Sequence, residues 1–423
     1  MNRQPDVLVV GSGLAGMMAA ATVVNRGGRV RIVTSGAGAL TISSGSIDVL
    51  GQANGHALQT PWDDLASLPA EHPYTLVGEQ GIREALALFC QILEKQHWPY
   101  AAADSGHNIL LPTIVGTLKP TWLVPAHVDL AALAAARRVL VLGVQGLREA
   151  SPALVIDGLR KMPGWTEREY TGAVMPSPLA GVHRSPNTLD LARFVDRPEG
   201  QAWLAGELAT HAGQADLVLL PPICGSGPNQ SLFAELNRAA QAPLVELVSI
   251  PPGVGGLRLW QALRNFLDQS DVEWLENAKV VRATMEGNRC TGLVAKAAGG
   301  EFPLAARTFV LATGGILGGG IELAPGKVRE TVCDVAIEAP AAVSDWSAEA
   351  MFDSHLFARF GVGVDNTMRS TAKPLDNVFF AGRTIGGYDH ASEKCGHGVA
   401  LATGWRAGCV ATETALAYRE GRS

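Results

Sequence analysis

Residues 6–16, Asp6-Val7-Leu8-Val9-Val10-Gly11-Ser12-Gly13-Leu14-Ala15-Gly16, restrict the fold more than any other stretch of the chain. A short apolar run ends in Gly-x-Gly-x-x-Gly, and small and apolar residues follow from Met17 to Val24. The pattern predicts a buried parallel strand, a tight turn and a helix packed closely on the sheet. Gly11 permits the turn, Gly13 lets backbone approach a phosphate, and Gly16 lets helix and strand touch. The helix start then presents free N–H groups and the positive end of its dipole to an anion. In this strand and helix setting the motif predicts nucleotide or flavin binding.

The next strand, 28–34, ends in Thr34-Ser35-Gly36. A dinucleotide site normally places a carboxylate there to bind a ribose 2′-OH. Only the Thr34 hydroxyl is available, which weakens the case for an adenosine and leaves the phosphate cradle intact. Ser43-Ser44-Gly45-Ser46 follows, read either as a plain loop or as a set of short donors for a flavin and its ribityl chain. Residues 55–274 read as an insertion, with helical patterns at 81–96, 130–137 and 257–267 and strand-like runs at 139–144, 217–220 and 244–250. The run at 139–144 with Gly146 lacks the full glycine pattern and reads as an ordinary strand.

The chain then returns to its first domain. Residues 280–284 and 291–295 predict a hairpin, and 308–315 a buried strand ending in Ala312-Thr313-Gly314-Gly315. Asn377-Val378-Phe379-Phe380-Ala381-Gly382-Arg383 is another strand ending at glycine. Gly396-His397-Gly398-Val399 opens a helix to about residue 417, whose small residues Gly398, Ala402 and Gly404 allow close packing on the sheet. Such a helix start stabilises negative charge on a reduced flavin. The expected organisation is a flavin-binding domain in two parts, 1–54 and 275–423, around an inserted substrate or interaction region, 55–274.

Composition sets the limits. With 423 residues, 47% hydrophobic and 17% charged, the chain can bury a large core and is not disordered. A formal net charge of −6, a pI of about 5.9 and no Lys/Arg block argue against a nucleic-acid partner. No apolar run approaches the ~18 residues of a membrane span, and no signal peptide fits the start, so a cytoplasmic protein is expected. The mean hydropathy of +0.14 suggests apolar surface covered by other subunits. The six cysteines form no CxxC pair, so iron–sulfur or zinc ligation is not expected and no metal ligands are predicted. Five read as lone buried thiols; Cys395 falls in the C-terminal cofactor loop.

The N-terminal glycine motif, the insertion, Ala312–Gly315 and the Ala-Gly strand before a glycine-opened helix together resemble the glutathione-reductase-like flavoproteins, in the broad group that includes fumarate reductase. The implied fold is α/β: a Rossmann-like FAD/NAD(P)-binding-type flavoprotein domain with an inserted α+β domain. Ile42–Leu50, His72-Pro73-Tyr74-Thr75-Leu76-Val77-Gly78, Gly116–Leu123, Leu191-Ala192-Arg193-Phe194 and Pro251–Arg258 further resemble the family of the B subunit of anaerobic glycerol-3-phosphate dehydrogenase. That resemblance implies a three-subunit bacterial enzyme. An FAD-containing catalytic partner, the A subunit, oxidises sn-glycerol 3-phosphate to dihydroxyacetone phosphate. An iron–sulfur partner, the C subunit, anchors the complex on the inner face of the inner membrane, and electrons pass to quinone. The B subunit is expected to carry FMN, with FAD the alternative. The implied cofactor residues are Gly11, Gly13, Leu14, Ala15, Gly16, Thr34, Ser43, Ser44, Gly45, Ser46, Val281, Thr313, Gly314, Gly382, Arg383, Gly396, His397, Gly398 and Val399. FMN suits a phosphate turn without a ribose carboxylate. Arg383, where many relatives carry an acidic residue, suits a phosphate.

Two roles stay open. For direct oxidation, His390 and His397 are the candidate bases, and Lys119 and Arg258 are candidate holders of the substrate phosphate. For an electron relay, no base is needed. The relay is the expected role, because no acid–base constellation stands out in the sequence. An independent FAD-dependent oxidoreductase and a flavin-free scaffold are the alternatives.

Overall fold

The computed structural model describes residues 4–181, 185–351 and 353–421; residues 1–3, read as the lead into the first strand, lie outside them. The chain divides into two compact units. The first comprises Met1–Ala39, Asp48–Ile92 and Arg264–Ser423, and the second Leu40–Ile47 and Leu93–Leu263.

The first unit is built on a five-stranded sheet in the order Glu273–Leu275, Val30–Val33, Val7–Val10, Thr308–Leu311, Val378–Phe380, all parallel. Val7–Val10 is central and buried along its whole length, as a strand covered on both faces must be. Leu14–Asn25 and the long helix Gly396–Arg419 lie against one another through small residues. A Cβ on Gly404 would sit 2.4 Å from the Ala15 carbonyl oxygen, and one on Gly408 2.7 Å from that of Ala19. The predicted hairpin is a three-stranded meander, Lys279–Glu286, Arg289–Ala297 and Gly300–Leu304. Val281 sits at the bulge between Val280 and Arg282.

The second unit has its own parallel sheet in the order Glu169–Met175, Arg138–Val144, Leu217–Leu220, Leu244–Glu246. Helices Pro152–Leu159, Thr188–Val195, Pro198–His211 and Gln230–Ala240 supply the connections, and the start of Val254–Gln269 follows the last strand. The inserted region thus has a wound, parallel core, to which short antiparallel ribbons such as Ile109–Pro112 with Leu118–Thr121 are added.

The division differs from the expected boundaries in three places, one being 264–274, which belongs to the first unit and not to the insertion. Residues 55–92 belong to the first unit, because the helix Pro73–Lys95 is fastened there: the Tyr74 hydroxyl donates to the Val49 carbonyl at 2.5 Å, and Gly81 faces Trp405. Leu40–Ile47 belongs to the second. Ile47 bridges Leu123, the Tyr100 hydroxyl donates to the Gly45 carbonyl at 2.5 Å, and Gly253, Gly255 and Gly256 press backbone to backbone on residues 40–45. Neither association is local in sequence, so periodicity does not reveal it.

One carboxyl in the first unit links stability to pH. Glu330 is fully buried and accepts the backbone N–H groups of Val332 and Cys333 at 2.8 and 2.7 Å. Burial pushes its pKa up to about 7 against the pull of those bonds and of Lys373. The folded value lies above the ordinary 4.5, so its contribution is complete below that pH and is lost as pH rises toward 7. Thermal melts from pH 5 to 8 are expected to fall more steeply for the wild type than for Glu330→Gln; parallel curves would refute the assignment.

Candidate functional site

At the carboxyl end of Val7–Val10, Gly11 has φ +107°, and a Cβ there would stand 2.2 Å from the Ala312 carbonyl oxygen. Gly16 is as tightly held, 2.0 Å from the Gly11 carbonyl by the same construction. Gly13 is different. It is the N-cap of Leu14–Asn25, has ordinary dihedral angles, makes no side-chain cap, and a Cβ on it would meet no protein atom within 4 Å. The backbone N–H groups of Leu14, Ala15 and Gly16 thus begin a helix whose entrance is open, as an anion cradle requires.

Thr34 closes the neighbouring strand. Its hydroxyl lies 2.9 Å from that of Ser12, and both reach the Gly36 carbonyl. The hydroxyl that the sequence offered to a ribose is engaged locally. Gly38 then packs on the glycine turn, its Cβ position 3.0 Å from Gly13 Cα.

Two further strand ends lie along the same carboxyl edge. Thr313 and Thr384 hydroxyls are 3.2 Å apart. Gly382 has φ +66° and donates to Thr403 Oγ1 at 2.9 Å, while its Cβ position lies 2.7 Å from Ala15 Cβ. Arg383 gives Nη2 to the Ala358 carbonyl at 3.0 Å, but its buried Nη1 has no hydrogen-bond partner. The guanidinium carbon stands 5.1 Å from the centroid of the buried Tyr388 ring. Orphaned buried donors are costly, and a bound group with acceptor oxygens relieves them. The open turn at Gly13 and the orphaned donor of Arg383 both fit a flavin and its phosphate.

The helix Gly396–Arg419 begins without a side-chain cap. Gly398 cannot be larger, since its Cβ would lie 2.2 Å from the Tyr74 hydroxyl. The His397 Nδ1 lies 2.5 Å from Asp48 Oδ1, and the Gly398 N–H donates to the Asp48 carbonyl at 2.8 Å. His390 packs on Gly396, and burial followed by the charge of Arg383 lowers its pKa despite Asp389 and Asp48.

The loop before this helix is held by His72, Glu393 and Arg359, to which the sequence reading gave no role, together with Cys395. His72 Nδ1 accepts the Tyr74 N–H at 3.0 Å, which puts the ring proton on Nε2, 3.1 Å from Glu393 Oε2. Glu393 Oε1 accepts from Arg359 at 3.0 Å, and Cys395 Sγ lies 3.5 Å from Oε2. His72, Glu393 and Cys395 have the composition of a metal site. Their donor atoms are spent on one another, however, and the Nε2 a metal would need carries the proton. The cluster is a clamp on the loop.

In the second unit the serine hydroxyls are engaged within their own loop and by Lys119. Ser43 Oγ accepts the Gly45 N–H at 3.3 Å, and Ser44 and Ser46 hydroxyls are 2.9 Å apart. Lys119 Nζ donates to Ser46 Oγ at 3.2 Å. Arg258 is only 2% exposed and pairs with Glu246 through Nη1 at 2.5 Å and Nη2 at 3.0 Å, while Nε and Nη2 donate to the Gly225 carbonyl. This guanidinium is consumed by a structural ion pair and does not serve as the phosphate holder the sequence suggested. His127, stacked on Phe233 at 3.6 Å, is pushed down to about 3 by burial and stays neutral.

The sequence model of the FAD binding domain family matches residues 6–399. The B subunit of anaerobic glycerol-3-phosphate dehydrogenase from Vibrio cholerae serotype O1 is 32% identical over 417 residues, covering 95% of each chain. This chain belongs to the FAD-binding-domain family and, within it, to that of the anaerobic glycerol-3-phosphate dehydrogenase B subunits. The relative of the same name from Yersinia enterocolitica is 33% identical over 405 residues, covering 94% of this chain and 95% of the relative. Among solved structures, the open conformation of a flavocytochrome c3 fumarate reductase aligns with 98% of this chain and 79% of its own, at 13% identity and TM-score 0.46. The chain is thus a flavoprotein-type member of a dehydrogenase complex. No helix among the described residues is long and apolar enough to cross a membrane.

Proposed function

We propose that this chain carries FMN and relays electrons within an anaerobic glycerol-3-phosphate dehydrogenase complex. It receives them from an FAD-containing partner that oxidises sn-glycerol 3-phosphate and passes them to an iron–sulfur partner. The iron–sulfur partner holds the complex on the inner face of the inner membrane, and quinone is the final acceptor. The observation that carries FMN over FAD is the Ser12–Thr34–Gly36 knot. It occupies the hydroxyl at the ribose position, where no carboxylate exists, while the phosphate turn beside it is open.

The residues divide the work. The N–H groups following Gly13 and the unpartnered Nη1 of Arg383 hold the phosphate. Thr313, Gly314, Gly382 and the bulge at Val281 line the approach, and the uncapped start Gly396–Val399 favours negative charge on the ring system. Bound, the flavin supplies a two-electron acceptor that can give electrons up singly. The clamp His72–Glu393–Arg359 keeps the Gly396 helix start in place.

The test is to release the cofactor from the purified chain by denaturation and identify it with its molar ratio. Stoichiometric FMN is expected. FAD would overturn the phosphate-only reading, and no flavin, alone or in complex, would overturn the relay. Gly13→Glu fills the open cradle with a like charge. We expect it to weaken flavin binding at least about 100-fold, about 2.7 kcal/mol. The unfolding midpoint of the flavin-free protein should not change, since nothing in the chain contacts the added Cβ.

A further inference from the structure

We infer that Asp48 and His397 form an acid–base pair that gives this chain a dehydrogenation site of its own, acting on the secondary alcohol of a phosphorylated polyol. The inference rests on the flavin reading above and goes beyond the relay.

The geometry has three parts. First, Asp48 is only 6% exposed, in a segment whose neighbours Ile47, Val49 and Leu50 are fully buried. A carboxylate in such a place is costly unless it is paired. Its backbone accepts Gly398 N–H and its side chain takes His397 Nδ1, so two adjacent residues of the helix start hold it. Second, a carboxylate only accepts, so the 2.5 Å contact fixes the imidazole proton on Nδ1. The lone pair is then on Nε2, to which no protein group among the described residues makes a hydrogen bond. Third, the His397 side chain is 20% exposed, within reach of a small molecule. The other ring nearby, His390, is biased toward its neutral form by burial and Arg383, so it does not compete as a fixed cation.

An aspartate orienting a histidine by Nδ1 and leaving Nε2 to move a proton is the arrangement general-base catalysis requires. In the step we assign, the alcohol O–H bond breaks and its proton forms an N–H bond at His397 Nε2. The carbon–hydrogen bond breaks with its electron pair passing as hydride to the flavin, and the carbon–oxygen bond becomes a carbonyl. The alcohol is oxidised, the flavin reduced, and the imidazolium is stabilised by Asp48. Asp48 acts through His397 and is a positioning residue.

The test uses the full chain, free of partners. Its first readout does not depend on turnover: in protein labelled with 15N-histidine, the His397 signal should report protonation at Nδ1 and a bare Nε2. That pattern should be lost in Asp48→Ala, with Asp48→Asn as the variant that keeps the shape. The second is anaerobic reduction of the flavin-loaded chain by sn-glycerol 3-phosphate. His397→Gln is expected to slow reduction at saturating substrate by about 100-fold or more, with half-saturation moved less than about threefold. Asp48→Ala should lower the same rate. A flavin that dithionite reduces but the substrate does not would overturn the inference and leave the relay standing. Equal rates in wild type and His397→Gln, or an Nε2-protonated His397, would also overturn it. A chain without flavin would instead refute the reading on which it rests.

Discussion

Gly16→Val is expected to cost more than about 4 kcal/mol and to leave little folded protein at 37 °C. The added Cβ would lie 2.0 Å from the Gly11 carbonyl oxygen and 2.9 Å from its carbon, and Val9 Cγ1 is 3.4 Å away. The nearest atoms are backbone at the turn itself, so no side-chain rotation relieves the clash. Gly11 cannot move aside, because its φ of +107° and its contact with Ala312 hold it against the next strand. The helix Leu14–Asn25 must then separate from the central strand, which also removes its contact with Gly404 and Gly408 of the C-terminal helix. Urea unfolding gives the comparison. Gly206→Ala, in a helix where a Cβ meets nothing, serves as control and should change stability by no more than about 1 kcal/mol. A Gly16→Val protein with a near wild-type midpoint would mean that the turn is not packed as described.

The second large effect is expected at Glu246. Truncation to alanine removes the only carboxylate paired with Arg258 among the described residues and the acceptor of the Cys224 N–H at 2.8 Å. A buried guanidinium without its counter-charge destabilises by about 3–5 kcal/mol. The pair should also sense acid. Burial raises the Glu246 pKa, but the charge and hydrogen bonds of Arg258 outweigh it and hold the carboxyl below the usual range. A depressed carboxyl contributes stability that is present above its unfolded pKa and lost as pH falls through the folded value. Wild-type midpoints should therefore drop on acidification below about pH 4 more steeply than those of Glu246→Ala. The double variant Glu246→Leu, Arg258→Met should recover much of the loss, since an apolar pair of similar volume removes the stranded charge. If the double variant is as unstable as the single one, the loss comes from packing and not from the charge.

These two sites also mark how far the sequence could be read. The glycine turn was legible because its causes are local. A strand, a positive-φ residue, an open N-cap and a small residue under the strand follow one another between Val7 and Gly16, and each demands a particular residue type. The strand ends at Ala312–Gly315 and Gly382 and the glycine-opened helix were legible for the same reason, as was the membership of the flavoprotein fold. Arg258 was misread because a lone arginine after Gly253–Gly256 looks free to hold an anion. Its partner Glu246 comes from the end of another strand, and only folding reveals the pair. Asp48 was missed for a related reason. The signal was one carboxylate in the run Ile47-Asp48-Val49-Leu50, a costly residue in a buried place, but nothing near it names His397, 349 residues away.

By itself, then, the sequence determined the backbone devices: where the chain turns, where a helix begins bare, and where two elements must touch. It also determined that no carboxylate closes the ribose position. Tertiary structure alone decided which side chains remain available for chemistry. It tied up Arg258 with Glu246 and Gly225, Thr34 with Ser12, and Ser46 with Lys119, left Arg383 Nη1 without a partner, and aimed His397 by means of Asp48. The physical reason is that the use of a side chain depends on the charge and hydrogen-bond partners that burial brings to it, and those come from segments far apart in the chain.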